Sequence, residues 1–133
     1  MENKLEKTLE EIATGQQHAV GNDLVFIPDF QHSLTDLFKN KVYTTGEIAY
    51  CDRFDNALLH YASTWAAKEA VYKAVKQLDA TPLAWKKIEI IREKIGGRPH
   101  VIIHQHPGKF NVSLSISHDG DYAWAAAIID INS

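Results

Sequence analysis

The chain has 133 residues, about one domain's worth, and a domain of that size buries roughly two-thirds of its unfolded surface, enough for one real core. Fourteen Lys and Arg against seventeen Asp and Glu leave a net charge of −3, which argues against nucleic acid or an anionic membrane as a partner bound through bulk charge. With 45% hydrophobic and 23% charged residues, the composition excludes a disordered or membrane-embedded chain.

The longest apolar stretch, Ala123 to Ile129, is far short of a bilayer span. The opening Met-Glu-Asn-Lys-Leu-Glu-Lys lacks the apolar core and cleavage site of a signal peptide. Cys51 stands alone, so neither an intrachain disulfide nor a cysteine-cluster metal site is available. The expected compartment is the cytoplasm. Residues 1–133 are read as one domain.

In chain order, Leu5, Leu9, Ile12 and Ala13 recur at helical spacing before Gly15, which predicts an amphipathic N-terminal helix within residues 1–17. Ala19 to Ile27 reads as a buried strand closed by Pro28, with Asp23 anomalous in its middle. Ser33-Leu-Thr-Asp36 and Thr44-Thr-Gly-Glu47 have the form of capping boxes and predict two short helices. From Asn56 to Leu78 the apolar positions Leu58, Ala62, Trp65, Ala66, Ala70, Ala74 and Leu78 mark one face of a long helix free of Gly and Pro. After Pro82 come four strands: Lys87 to Arg92, a Gly96-Gly97 turn, Pro99 to Gln105, a Pro107-Gly108 turn, Asn111 to Ser117, an Asp119-Gly120 turn, and Tyr122 to Ile131. Helices first and antiparallel strands last make the class α+β.

A carboxylate inside an apolar strand is costly unless something neutralises it, and Asp23 lies between Val20-Gly21 and Leu24-Val25. A turn cap or a lysine pair would explain it without chemistry. Glu69 shares a helix side with Ala62, Trp65, Ala66 and Tyr72, which half-buries it, and Lys73 follows one turn on. A surface ion pair is the plain reading of Glu69 and Lys73. Asp23 and Glu69 taken together carry a functional one, because two carboxylates plus phosphate oxygens commonly hold magnesium, with Lys73 left to neutralise a phosphate. Ser113, Ser115 and Ser117 alternate on one strand face and lead to His118. Alone, that is an ordinary solvated strand end. His104 and His106 stand two apart and His100 is near, but no third zinc ligand follows at motif spacing, so an exposed hairpin tip is the expectation. No nucleophile elbow, phosphate-binding loop or dinucleotide fingerprint occurs.

Four blocks, in order, resemble the holo-acyl-carrier-protein synthase family of small phosphopantetheinyl transferases. They are Val20-Gly-Asn-Asp-Leu-Val-Phe-Ile27; Tyr43-Thr-Thr-Gly-Glu-Ile-Ala-Tyr-Cys51; Trp65-Ala-Ala-Lys-Glu-Ala-Val-Tyr-Lys-Ala74; and Val112-Ser-Leu-Ser-Ile-Ser-His118 followed by Asp121-Tyr-Ala123. The third is the specific one, and the resemblance spans residues 19 to 131. It implies transfer of 4′-phosphopantetheine from coenzyme A to a serine of an apo acyl carrier protein, releasing 3′,5′-ADP. By the same resemblance Asp23 and Glu69 are Mg2+ ligands, and Glu69, Lys73 and His118 serve the chemistry. Lys73, Arg98, Pro99, Ser117 and His118 then line the coenzyme A site, and the chain forms a homotrimer with sites between subunits. Carrier proteins present an acidic helix, so a local basic patch is expected, with Lys39, Lys41 and Arg53 as its candidates.

The departures are Phe26, where the family often has an acidic residue, and Thr64, where it commonly has an arginine. One coenzyme A phosphate contact is therefore not carried over. The N-terminal helix is an addition to the family pattern. Two rivals remain: a non-catalytic module that binds coenzyme A or a carrier protein, and a structural interaction domain whose carboxylates merely pair with lysines.

Overall fold

The computed structural model describes residues 18–92 and 97–132. The helix expected within residues 1–17 and the first glycine of the Gly96-Gly97 turn lie outside the described residues. The chain runs β1 (His18–Phe26), α1 (Ile27–Ser33), α2 (Asp36–Val42), α3 (Thr45–Cys51), α4 (Ala57–Leu78), a 3-10 turn (Trp85–Lys87), β2 (Ile88–Ile91), β3 (His100–Ile103), β4 (Phe110–Asp119) and β5 (Tyr122–Ile131). None of the described helices is long and apolar enough to cross a membrane.

Three points correct or complete the sequence expectation. Pro28 does more than close β1, since it sits in the first turn of α1, where its fixed φ suits a helix and its missing N–H costs nothing. The cap of α2 is Thr35, whose hydroxyl accepts from the Phe38 N–H at 3.1 Å, while Ser33 is the last residue of α1. At α3 the box forms as read, with reciprocal bonds between Thr44 and Glu47. The third point is one the sequence reading left open: the last four strands divide between two sheets. β5 takes β4 on one side and β1 on the other, giving the order β1-β5-β4, and β2 pairs only with β3.

The two-stranded sheet stops growing because side chains occupy the backbone groups on β2's free edge. The Ile90 N–H donates to Glu47 Oε2 at 2.8 Å, and the Ile88 carbonyl accepts from the Lys68 ammonium. Buried backbone groups need partners, and here they find them without a third strand. Lys68 also meets Glu47 Oε1 at 2.7 Å, and this buried ion pair ties α3, α4 and β2 together. Removal from water pulls the Lys68 pKa down while the Glu47 carboxylate pushes it back up.

α4 lies on the three-stranded sheet through small residues. Ala62, Ala66, Ala70 and Ala74, four apart on α4, and Ala123, Ala125 and Ala127 on the inner face of β5 are all fully buried. Gly21 completes the contact, since a Cβ there would stand 2.0 Å from the Ala70 carbonyl oxygen. Only glycine admits so close an approach. The β4–β5 hairpin closes through Gly120, at φ +54.

Candidate active site

The close seat of α4 on β1 decides where Asp23 goes. Asp23 shares the inward face of β1 with Gly21, two residues away. With helix and strand drawn together at Gly21, its carboxylate reaches the Lys73 ammonium at 2.8 Å, and Lys73 also donates to the Asn22 carbonyl at 3.2 Å. Glu69, one turn back on α4, is half-buried and lies close enough to Asp23 for the two carboxyl groups to interact. Burial, and then the neighbouring Asp23 charge, push the Glu69 carboxyl up to about 7, against opposing pulls from Lys73 and the Trp65 side chain. Contact with Asp23 conversely holds the Lys73 ammonium above its ordinary range. An aromatic cluster stands along the same side of α4: Trp85 lies 4.7 Å from both Trp65 and Tyr72, which flank Glu69 in the helix.

Two neighbouring carboxyl groups are a donor set of the kind that holds a hard cation. A hard divalent ion satisfied by two protein carboxylates, with phosphate and water oxygens for the rest, fits this donor set, and magnesium is such an ion. Among the described residues no cluster of three or more His, Cys, Asp or Glu is gathered for a metal. Of the three histidines weighed above, His104 is engaged with Glu89 at 3.0 Å, and Glu89 in turn accepts from Thr44 Oγ1 at 2.7 Å.

On the other flank of α4 lies a cleft of about 280 Å³, whose lining includes Ser63 and His60 from α4, Pro99, and Ile116 and His118 from β4. Its size is at the bottom of the range of about 300–1,000 Å³ that small-molecule sites occupy. Glu69 is six positions from Ser63, about 9 Å of rise and 240° of rotation, so the carboxylates and the cleft face different sides of the helix. Pro99 and His118 therefore sit together, apart from Asp23, Glu69 and Lys73. Ser117 lies on the opposite face of β4 from His118, beside Trp124, and Arg98 is exposed next to Pro99. Thr64 is buried, its hydroxyl donating to the His60 carbonyl at 2.8 Å. Cys51, 3.7 Å from Thr64, is fully buried and its thiol is pushed up to about 11, which leaves it unreactive.

The sequence pattern of the 4′-phosphopantetheinyl transferase superfamily matches residues 19–127. The chain belongs to that superfamily. Among its relatives, the holo-[acyl-carrier-protein] synthase of Koribacter versatilis is 35% identical over 120 residues, covering 83% of this chain and 95% of that one. The Chlamydia trachomatis holo-[acyl-carrier-protein] synthase is 36% identical over 118 residues, covering 84% and 98%. The fold is likewise similar to that of the Chronobacterium ammoniagenes synthase in its coenzyme A complex, with a TM-score of 0.74 at 28% identity over 87% of this chain and 98% of that one. The Mycobacterium tuberculosis acyl carrier protein synthase gives 0.67 at 32% identity over 86% and 97%.

Two features of this phosphopantetheinyl transferase were not read from its sequence. The Glu47–Lys68 pair was visible only as a helix cap and as one letter of a motif; two opposite charges in blocks that both flank apolar runs are the signal that could have joined them. Arg92 and His60, which line the cleft with His118, carried no local signal at all.

Proposed function

We propose that this chain transfers the 4′-phosphopantetheine arm of coenzyme A to a serine hydroxyl of an apo acyl carrier protein. The serine oxygen bonds to the phosphorus that carries the arm, the bond from that phosphorus to the bridging oxygen breaks, and 3′,5′-ADP leaves. The observation that carries this reading is the Asp23–Lys73 contact at 2.8 Å with the Glu69 carboxyl beside it.

Asp23 and Glu69 would hold Mg2+, whose charge supplies stabilisation for the pyrophosphate as negative charge builds on the leaving group. Lys73, held by Asp23 and the Asn22 carbonyl, would set a positive charge beside the transferring phosphoryl group. Glu69 and His118 are the two groups of this chain placed in the reading to accept the serine proton. Pro99 and His118 belong to the part of the coenzyme A site that the cleft provides, with Arg98 and Ser117 at its margins.

The two half-sites face away from each other across α4, which supports a homotrimer in which the carboxylates of one copy meet the cleft of the next. The outer face of the three-stranded sheet supports the same assembly: Val20, Leu24, Trp124 and Ile128 are each about half exposed there, an apolar surface of the kind that marks an interface. Carrier-protein docking falls to Lys39, Lys41 and Arg53, near α2 and α3, matched to an acidic helix. The cytoplasm is the compartment this reaction implies.

The test is intact-mass spectrometry of an apo acyl carrier protein after incubation with this protein, coenzyme A and Mg2+, beside a Glu69→Ala control. The expected result is a gain of one phosphopantetheine arm that is lost in the control. No gain with several carrier proteins, while coenzyme A still binds, would instead leave a binding module.

A further inference from the structure

Arg92, at the end of β2, enters the cleft that holds His60 and His118. Among the described residues lining that cleft it is the one permanently charged cation, since α4 offers only Leu59, His60 and Ser63 and turns Thr64 inward. Its guanidinium lies over the Tyr50 ring, 5.1 Å from the centroid. Its Nη2 is buried and has no hydrogen-bond partner among the described residues. A guanidinium nitrogen kept from water without an acceptor costs free energy that a ligand oxygen would return. The cleft offers that ligand a cationic setting: burial, and then the charges of Arg92 and His118, hold the His60 imidazole below its ordinary pKa.

We infer that Arg92 binds a phosphate group of coenzyme A, forming charge-assisted hydrogen bonds through its free Nη2 edge while Tyr50 fixes the plane of the guanidinium. The inference rests on the coenzyme A reading above and goes beyond it by naming the residue that anchors the nucleotide half. No sequence motif marks Arg92. It follows Ile91, the last residue of β2, and only packing brings it to the cleft beside His60 and Tyr50.

The experiment is calorimetric binding of coenzyme A, dephospho-coenzyme A and 3′,5′-ADP to the wild-type protein, Arg92→Ala and Arg92→Gln, together with the KM for each substrate in the transfer assay. Arg92→Ala is expected to weaken coenzyme A and 3′,5′-ADP by about 10- to 100-fold, to raise the KM for coenzyme A correspondingly, and to leave the KM for the carrier protein unchanged. An undiminished affinity of that variant for dephospho-coenzyme A, which lacks the 3′-phosphate, assigns Arg92 to the 3′-phosphate; an equal loss assigns it to the pyrophosphate. Should the alanine variant fail to fold, Arg92→Gln, which keeps a polar side chain without the charge, carries the same expectation. Binding of all three ligands within about twofold of wild type by a folded variant overturns the inference, as does a change confined to the carrier-protein KM. Absence of transfer by the wild-type protein would instead count against the reading of the function.

Discussion

The Asp23 carboxylate and the Lys73 ammonium lie 2.8 Å apart although fifty residues separate them in the chain. β1 supplies one and α4 the other, and Glu69, one turn back on α4, completes the cluster. Asp23→Asn and Glu69→Ala are each expected to lower transfer by about 100-fold or more, the scale of losing one electrostatic contact to a transition state. Initial rates by intact mass, with far-UV circular dichroism to confirm folding, measure this; rates within a few-fold of wild type would remove these carboxylates from the chemistry.

A pH dependence follows from Glu69. Its folded-state pKa lies near 7 against an ordinary 4.5, so the folded protein favours the protonated form. That stabilisation is complete below pH 4.5 and fades as pH rises through about 7. Thermal melts of the metal-free protein should show this downward trend, and Glu69→Gln should flatten it. Magnesium needs the ionised carboxylates, so its affinity should climb from about pH 6 to pH 8. A pH-independent magnesium affinity would contradict the assignment.

Gly21→Ala tests the seat of α4 on β1. The added methyl would fall 2.0 Å from the Ala70 oxygen and 2.9 Å from the Ala74 nitrogen, both backbone atoms. Overpacking of this kind costs about 1–3 kcal/mol or more, and it moves Asp23 away from Lys73. Urea denaturation should register the loss of stability, and transfer should fall with it.

The Glu47–Lys68 pair is almost wholly withdrawn from solvent, with side-chain exposures of 1% and 0%. Lys68→Met leaves a buried carboxylate without its partner and should cost about 3–5 kcal/mol. Glu47→Gln in the same chain removes that stranded charge, so the double variant should be more stable than the sum of the two single losses predicts. Additive losses in a double-mutant cycle would mean that the pair does not interact.

Complementation tests the shared site. Glu69→Ala and His118→Ala, inactive alone, damage opposite flanks of α4. Mixed and reassembled, they should regain about a quarter of wild-type activity, the share of interfaces at which two intact halves meet by chance in a symmetric assembly. Ile128→Asp, on the exposed sheet face, should release single copies, as read by light scattering after size exclusion. No recovery from chains shown to have exchanged would mean that each copy carries a whole site.

Local sequence determined much of this protein. The period of α4, the alternation in β4 and β5, the Thr44 cap and the two carboxylates out of place in apolar elements were all legible because each depends on neighbours a few residues away. The motif around Lys68 and Glu69 was enough to point to the family. Other features depended on contacts between distant segments. Glu47 and Lys68 cap the free edge of β2 and so divide the strands into two sheets, and Gly21 sets the depth at which α4 lies. Arg92 reaches the cleft for the same kind of reason. Side-chain pairing across 20 to 50 residues leaves no periodic trace along the chain, so only the tertiary structure could decide it.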